Sequence, residues 1–302
     1  MSKYKLRIHL DGSASKFTTY LKNFAKINPS LLLEIDAFNN QFIAKTFSED
    51  KASVRFSAIT FDECNMSVIE NTGDSVCPWE FRIKLGILLQ LPKMIKILER
   101  FESDYQIDKN RTFDIIINYD FSANGQELTE STECVAETIR FSSSSLEIKM
   151  DGFRSTEFRY LSDDTFNNTV YKLIDPIPFE ISGATISNII KTSDIVKSDP
   201  KRDILIIYVD GKDVCIKDYL GKDTKGKDLP ANFVYKLGEL PDKVGYELRL
   251  PMFRERFIEF LDRTDETFTI LFGKSIRGNV DRLVMRSNDS ETRIVISTIN
   301  EQ

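Results

Sequence analysis

Residues Gly221–Lys227 (GKDTKGK) match the G-x-x-x-x-G-K spacing with which a glycine-rich loop cradles phosphates. Such a loop needs a Ser or Thr next, to ligand magnesium, and a helix directly after it to hold the phosphate. Asp228 occupies the first place, and Pro230 with a β-like NFVYKL run occupies the second. The spacing therefore lacks its context, and 220–230 reads as a hairpin tip rich in Lys, Asp and Gly. The single histidine, His9, lies on an alternating strand beside Arg7 and Asp11. No serine or cysteine motif points to it, so it reads as a partly exposed strand residue, not a base. One histidine also excludes every multi-histidine metal site. Cys64, Cys77, Cys134 and Cys215 form no C-x-x-C pair, which leaves reduced thiols and a cytoplasmic setting. Asp163-Asp164 and Glu130/Glu133 sit in polar sequence where solvated acids are the rule. These residues imply no enzyme, no metal and no cofactor.

The lysines are more informative. Over 13–28, Lys16, Lys22 and Lys26 stand without a single acid, and Ser15, Thr19, Lys22, Asn23 and Lys26 form one stripe. Over 92–101, Lys93, Lys96 and Arg100 fall at i, i+3 and i+7, opposite Met94, Leu98 and Phe101. Lys191 and Lys197 oppose Asp194 over 182–198, while over 251–263 three arginines meet Glu255, Glu259 and Asp262. The chain as a whole carries −6. Basic helices in an acidic protein suit sequence-independent contact with phosphates, and the lack of aromatics among the cations favours duplex over single strands.

The elements that must carry these residues repeat. With 302 residues the chain is long enough for two domains. Strand patterns dominate, and four helices interrupt them, predicted at 13–28, 92–101, 182–198 and 251–263. Prolines at 92 and 251 suit a first helical turn. A unit of strand, helix and about three strands recurs four times, starting near Tyr4, Trp79, Ile177 and Tyr246, with the first pair resembling the second. This gives an α+β fold of two domains, 1–165 and 177–302, joined by a linker at 166–176. The segment 124–137 is acidic and reads as an exposed loop. No apolar run reaches membrane-span length, and the start lacks a signal core, so secretion is not expected.

With these units and basic helices, the sequence resembles a DNA sliding clamp. The general pattern is that of proliferating cell nuclear antigen, and the closer similarity is to the clamps of T-even-type bacteriophages. It is carried by FTTYLKNFAKINPSLLLEIDAFNNQFIAK (17–45), by 176–217 and by 246–299. The resemblance implies a DNA-clamp fold with helices on one face of antiparallel sheets. It implies a homotrimeric ring acting as a processivity factor in DNA replication, in the cytoplasm of an infected bacterial host if phage-encoded. The partners implied are double-stranded DNA, a DNA polymerase, a clamp loader and further copies of the chain, with no membrane. It carries Lys16, Lys22, Lys26, Lys93, Lys96, Arg100 and Lys191 to DNA contact. It carries Val170, Tyr171, Leu173, Ile174 and Ile299 to a protein-interaction pocket, though core or linker packing explains each equally well. The edge-strand candidates for joining subunits are 141–150 and 232–236. A clamp-fold scaffold that does not encircle DNA, or a β-rich phage structural protein, stays open as an alternative.

Overall fold

The computed structural model describes residues 3–36, 39–48, 53–73, 84–120, 133–136, 138–151, 165–196, 203–240, 248–261, 266–275 and 281–299. The chain falls into two compact units. One comprises Met1–Thr46 and Phe56–Tyr160, the other Phe47–Arg55 and Leu161–Gln302.

In the first unit, strand β1 (Lys3–Leu10) lies between β5 (Met66–Gly73) and β7 (Phe113–Asp120), antiparallel to both. Its alternation explains this place. Tyr4, Leu6, Ile8 and Leu10 are buried, with Leu6 opposite Ile117 and Ile8 opposite Ile115. The other face carries charge: Lys5 pairs with Glu70, while Arg7 and His9 both bond the Asp114 carboxylate. His9 is thus a strand residue held by a neighbour, as its pattern suggested. Strands β9 (Thr138–Ser142) and β10 (Glu147–Asp151) complete this sheet in the order β10-β9-β7-β1-β5, so β10 is an edge.

A second set of strands follows the order β8-β6-β2-β3-β4, with β2 at Ser30–Asp36, β3 at Gln41–Phe47, β4 at Ser53–Thr60, β6 at Lys84–Gln90 and β8 at Glu133–Ala136. Strand β8 corrects the expectation of an open loop over 124–137. Glu133–Ala136 pairs in parallel with Lys84–Ile87, and Ala136 is buried. The rest of that segment, 124–132 and 137, lies outside the described residues, as does Trp79. Lys45 and Glu34 form an ion pair at 2.6 Å on facing strands, both nearly buried.

Helix α1 (Ser15–Ala25) buries Phe17, Tyr20, Leu21 and Phe24. Phe17 stacks on Phe42 of β3 with centroids 4.7 Å apart, so truncating it to Ala would cost about 3–5 kcal/mol. Helix α2 (Leu91–Ile107) starts with proline in its first turn, as expected. It runs past Phe101, because Arg100 and Asp104 pair across one turn and carry the helix on.

The second unit repeats the pattern. Strand β11 (Leu173–Ser182) leads into α3 (Gly183–Ile195), whose N-cap Ser182 accepts from the Thr185 amide. Strands β12 (Ile204–Asp210), β13 (Asp213–Tyr219) and β14 (Val234–Glu239) follow, then β15 (Arg249–Phe253), α4 (Arg254–Leu261), β16 (Thr267–Ser275), β17 (Asp281–Ser287) and β18 (Arg293–Ser297). One sheet has the order β14-β13-β12-β15, and β11-β16-β17-β18 lie in order in the other. Strand β11 begins inside the range assigned to a linker, after a single π-turn at Phe166–Val170.

Pro251 does not start a helix. It sits within β15 opposite Ile206, and its carbonyl accepts from the Ile299 amide at 2.9 Å. Leu250 and Met252 on either side are buried, so strand alternation outweighs the proline as a helix signal, and α4 begins three residues later. Tyr246, Asp262 and Arg263 lie outside the described residues.

Candidate nucleic-acid interface

Helices α1 and α2 run side by side and antiparallel. Glu102 of α2 accepts from the Ala14 amide at 2.6 Å and from the Ser13 hydroxyl at 2.9 Å. Farther along α1, Lys22 Nζ lies 2.7 Å from Glu99 Oε1. Past its end, Pro29 and Ser30 border Pro92, Lys93 and Lys96. The Ala14 N-cap supplies no side-chain cap of its own, so α2 supplies the carboxylate that α1 lacks. Burial alone would raise the Glu102 pKa. Hydrogen bonds from Gln106, Ser13 and the Ala14 amide outweigh it and hold the carboxyl below its usual range.

The exposed side of this pair carries the expected cations. Lys16, Lys22, Lys26, Lys93, Lys96 and Arg100 are all exposed. They are not equally available. Lys22 is paired with Glu99, and Arg100 bonds Asp104 at 2.7 Å. Lys93 and Lys96 have no hydrogen bond or ion pair among the described residues. They stand one turn apart over an open recess of about 370 Å³, lined also by Pro29, Ser30, Gln90 and Pro92. Two ammonium groups beside a hydroxyl and a carboxamide offer donors and no carboxylate, which suits a phosphate. Sequence reasoning missed Ser30, which only the return of the chain beside α2 brings there, and Gln90, the N-cap residue of α2.

The second unit presents less positive charge. Lys191 is exposed on α3. Arg254 is buried: its guanidinium bonds Ser193 at 2.9 Å, Asp203 at 3.0 Å and Asp194. It ties the start of α4 to the end of α3 and is not a surface cation. Glu255 is exposed on α4.

The residues carried to a partner pocket are spread over several elements. Val170 ends the π-turn. Tyr171 packs on Phe166 and lies beneath the Arg293 guanidinium. Leu173 and Ile174 open β11, with Ile174 46% exposed, and Ile299 is anchored through its amide to Pro251.

The phosphate-loop spacing at Gly221–Lys227 folds as a closed hairpin. Asp223 Oδ1 accepts from the Lys225 and Lys227 amides at 2.8 and 2.9 Å, and the Gly226 amide donates to the Asp223 carbonyl. The amides that would cradle a phosphate are already used.

Among the described residues, no helix is long and apolar enough to cross a membrane, and no group of His, Cys, Asp and Glu is placed to hold a metal ion.

No protein-family model and no curated protein sequence matches the chain. Solved structures do. PCNA of A. fulgidus, in a structure with the C-terminal region of FEN-1 bound, aligns with a TM-score of 0.59 at 12% identity, over 98% of this chain and 100% of that one. The PCNA2–PCNA3 complex from Sulfolobus tokodaii aligns at 0.56 and 10% identity, over 97% and 98% of the two chains. The DNA polymerase III beta chain from Streptococcus pneumoniae aligns at 0.57 and 12% identity, over all of this chain but 66% of that one. The chain therefore has the DNA-clamp fold, with paired β-α-β-β-β units as its sequence led us to expect.

Proposed function

We propose that this protein is a DNA sliding clamp, a processivity factor that encircles duplex DNA and tethers a DNA polymerase. The observation that carries this reading is the exposed Lys93–Lys96 pair over its open recess, on a helix pair of a clamp fold matched over nearly the whole chain. The DNA-contact residues are Lys16, Lys22, Lys26, Lys93, Lys96, Arg100 and Lys191. Lys93 and Lys96 lead, because no described residue competes for them. A ring holds DNA by enclosure, so each contact stays weak enough to slide. The net charge of −6 opposes non-specific phosphate binding elsewhere.

The ring is a homotrimer in this proposal, three chains supplying six domains of the kind bounded by 1–165 and 177–302. Among the described residues, strands β10 and β14 end their sheets, which supports them as the joining surfaces. A clamp loader opens the ring, and Tyr171, Leu173, Ile174 and Ile299, with Val170, border the polymerase pocket. A bacteriophage source and the cytoplasm of its host belong to the same reading.

Two measurements test it. Light scattering over a wide concentration range should give about three times the 34.8 kDa chain mass. The loaded protein should then stay on nicked circular DNA and leave on linearisation. Equal retention on both forms would replace enclosure with ordinary binding, and the clamp-fold scaffold would become the better reading.

A further inference from the structure

The hairpin 220–230 lies outside the β-α-β-β-β repeat, yet it is firmly built. The Lys222–Asp228 bridge and the Leu229 amide to Gly221 carbonyl bond close its base, and Asp223 closes its tip. Asp228 then latches it to the sheet. The carboxylate accepts from Lys217 Nζ at 2.8 Å and from both terminal nitrogens of Arg249, at 2.8 and 3.1 Å. Burial by itself would raise the Asp228 pKa, but these two cations outweigh it and hold the carboxyl below its usual range. Lys217 and Arg249 also lie over the rings of Tyr208 and Tyr219.

The latch has a definite side. Registers place Leu205, Ile207, Val214, Ile216, Leu250 and Met252 on one face of this sheet, all buried at 1% exposure or less. Tyr208, Lys217 and Arg249 fall on the opposite face. The hairpin is therefore held on the face that also carries the buried Ile206 and Cys215, opposite the one bearing Leu205, Ile207 and Leu250.

The hairpin presents Lys222, Lys225 and Lys227, all exposed. Its own acids are committed to it, Asp223 to two turn amides and Asp228 to the latch. Lys225 and Lys227 have no side-chain partner among the described residues. No aromatic ring lies within the tip sequence, so bases have nothing to stack on. The turn amides are occupied, so a phosphate gains no backbone cradle. What remains is a set of ammonium point charges on a rigid support, in a chain of net −6.

We propose that this hairpin is a preformed docking element for an acidic segment of a partner protein. Carboxylates spaced along an extended peptide can meet Lys225 and Lys227 in turn, and the latch removes the ordering cost that a loose loop would incur. The proposal does not depend on enclosure of DNA, because it rests only on the Asp228 latch and the exposed tip lysines.

The test uses the full chain and a fluorescein-labelled octaglutamate peptide, followed by anisotropy at low and physiological salt. The wild type should bind with an affinity that falls as salt rises. The double change Lys225→Glu and Lys227→Glu should weaken binding about tenfold or more. Asp228→Asn keeps the tip lysines but loosens the latch, and should weaken binding by about threefold. Octaglutamate binding that ignores the Lys225 and Lys227 reversal would overturn the proposal. So would tighter binding of an oligothymidylate of equal charge at the same lysines, which would make the hairpin a nucleic-acid contact.

Discussion

Lys22 of α1 and Glu99 of α2 face each other at 2.7 Å, both about half exposed. The pair joins the two helices, and it withdraws one lysine from the surface charge that helix α1 presents. At that exposure it contributes about 0–1 kcal/mol to stability. Glu99→Gln should therefore leave the melting temperature nearly unchanged. It should tighten duplex binding by a few fold and add about one unit to the slope of log affinity against log salt. Titrations of a linear duplex at four or five salt concentrations would read both.

Lys93→Ala with Lys96→Ala should have the opposite effect. Removing two phosphate contacts lowers the magnitude of the salt slope by about 2, uniformly across DNA sequences. The same change at Lys22 and Arg100 should lower it less, since both are already paired with carboxylates. Equal effects from the two double variants would mean that the ion pairs open on DNA.

Arg254→Met tests the buried guanidinium. Asp203 would lose its bond to the guanidinium where it is largely covered, while Asp194 is 62% exposed and can turn to water. We expect a loss of about 2–4 kcal/mol in urea unfolding, with duplex binding per folded molecule unchanged. Lysine at the same position should recover little, because one ammonium cannot reach Ser193, Asp194 and Asp203 together.

Burial pushes the Cys64 thiol up to about 12 from 9.0, with Glu63 adding to the rise and Lys16 opposing it. The folded state thus keeps a proton that the unfolded state releases. Its contribution to stability is complete below pH 9.0 and is lost as the pH rises toward about 12. Cys64→Ser should flatten the fall of stability above pH 9. Iodoacetamide at pH 8, with site mapping by mass spectrometry, should leave Cys64 unmodified in the folded protein.

The repeat and the helix faces were legible because they depend on local periodicity. Phe17, Tyr20, Leu21 and Phe24 mark α1 whatever packs on them. The availability of each cation was not legible. Lys22 and Lys93 look alike in sequence, and only the antiparallel approach of α1 and α2 sets Glu99 against one and leaves the other open. The burial of Arg254 was not legible for a similar reason: its partners Ser193 and Asp203 are remote in sequence and meet it only across the fold. Pro251 misled because one residue type serves both a helix start and a strand. The alternation of Leu250 and Met252 around it was the signal that could have separated them.

The tie between Pro251 and Ile299 bears on the direction of assembly. In a strand, the nitrogen and carbonyl of one residue point to the same side. The Pro251 carbonyl faces Ile299 and away from β12, so the missing N–H is missing on the outer side of β15. That rim offers an incoming strand no donor at residue 251, and its acceptor is already taken. At the other end of the same sheet β14 is an edge among the described residues. A strand added at β14 would meet no proline, whereas one added at β15 would meet a missing donor and a used acceptor at residue 251.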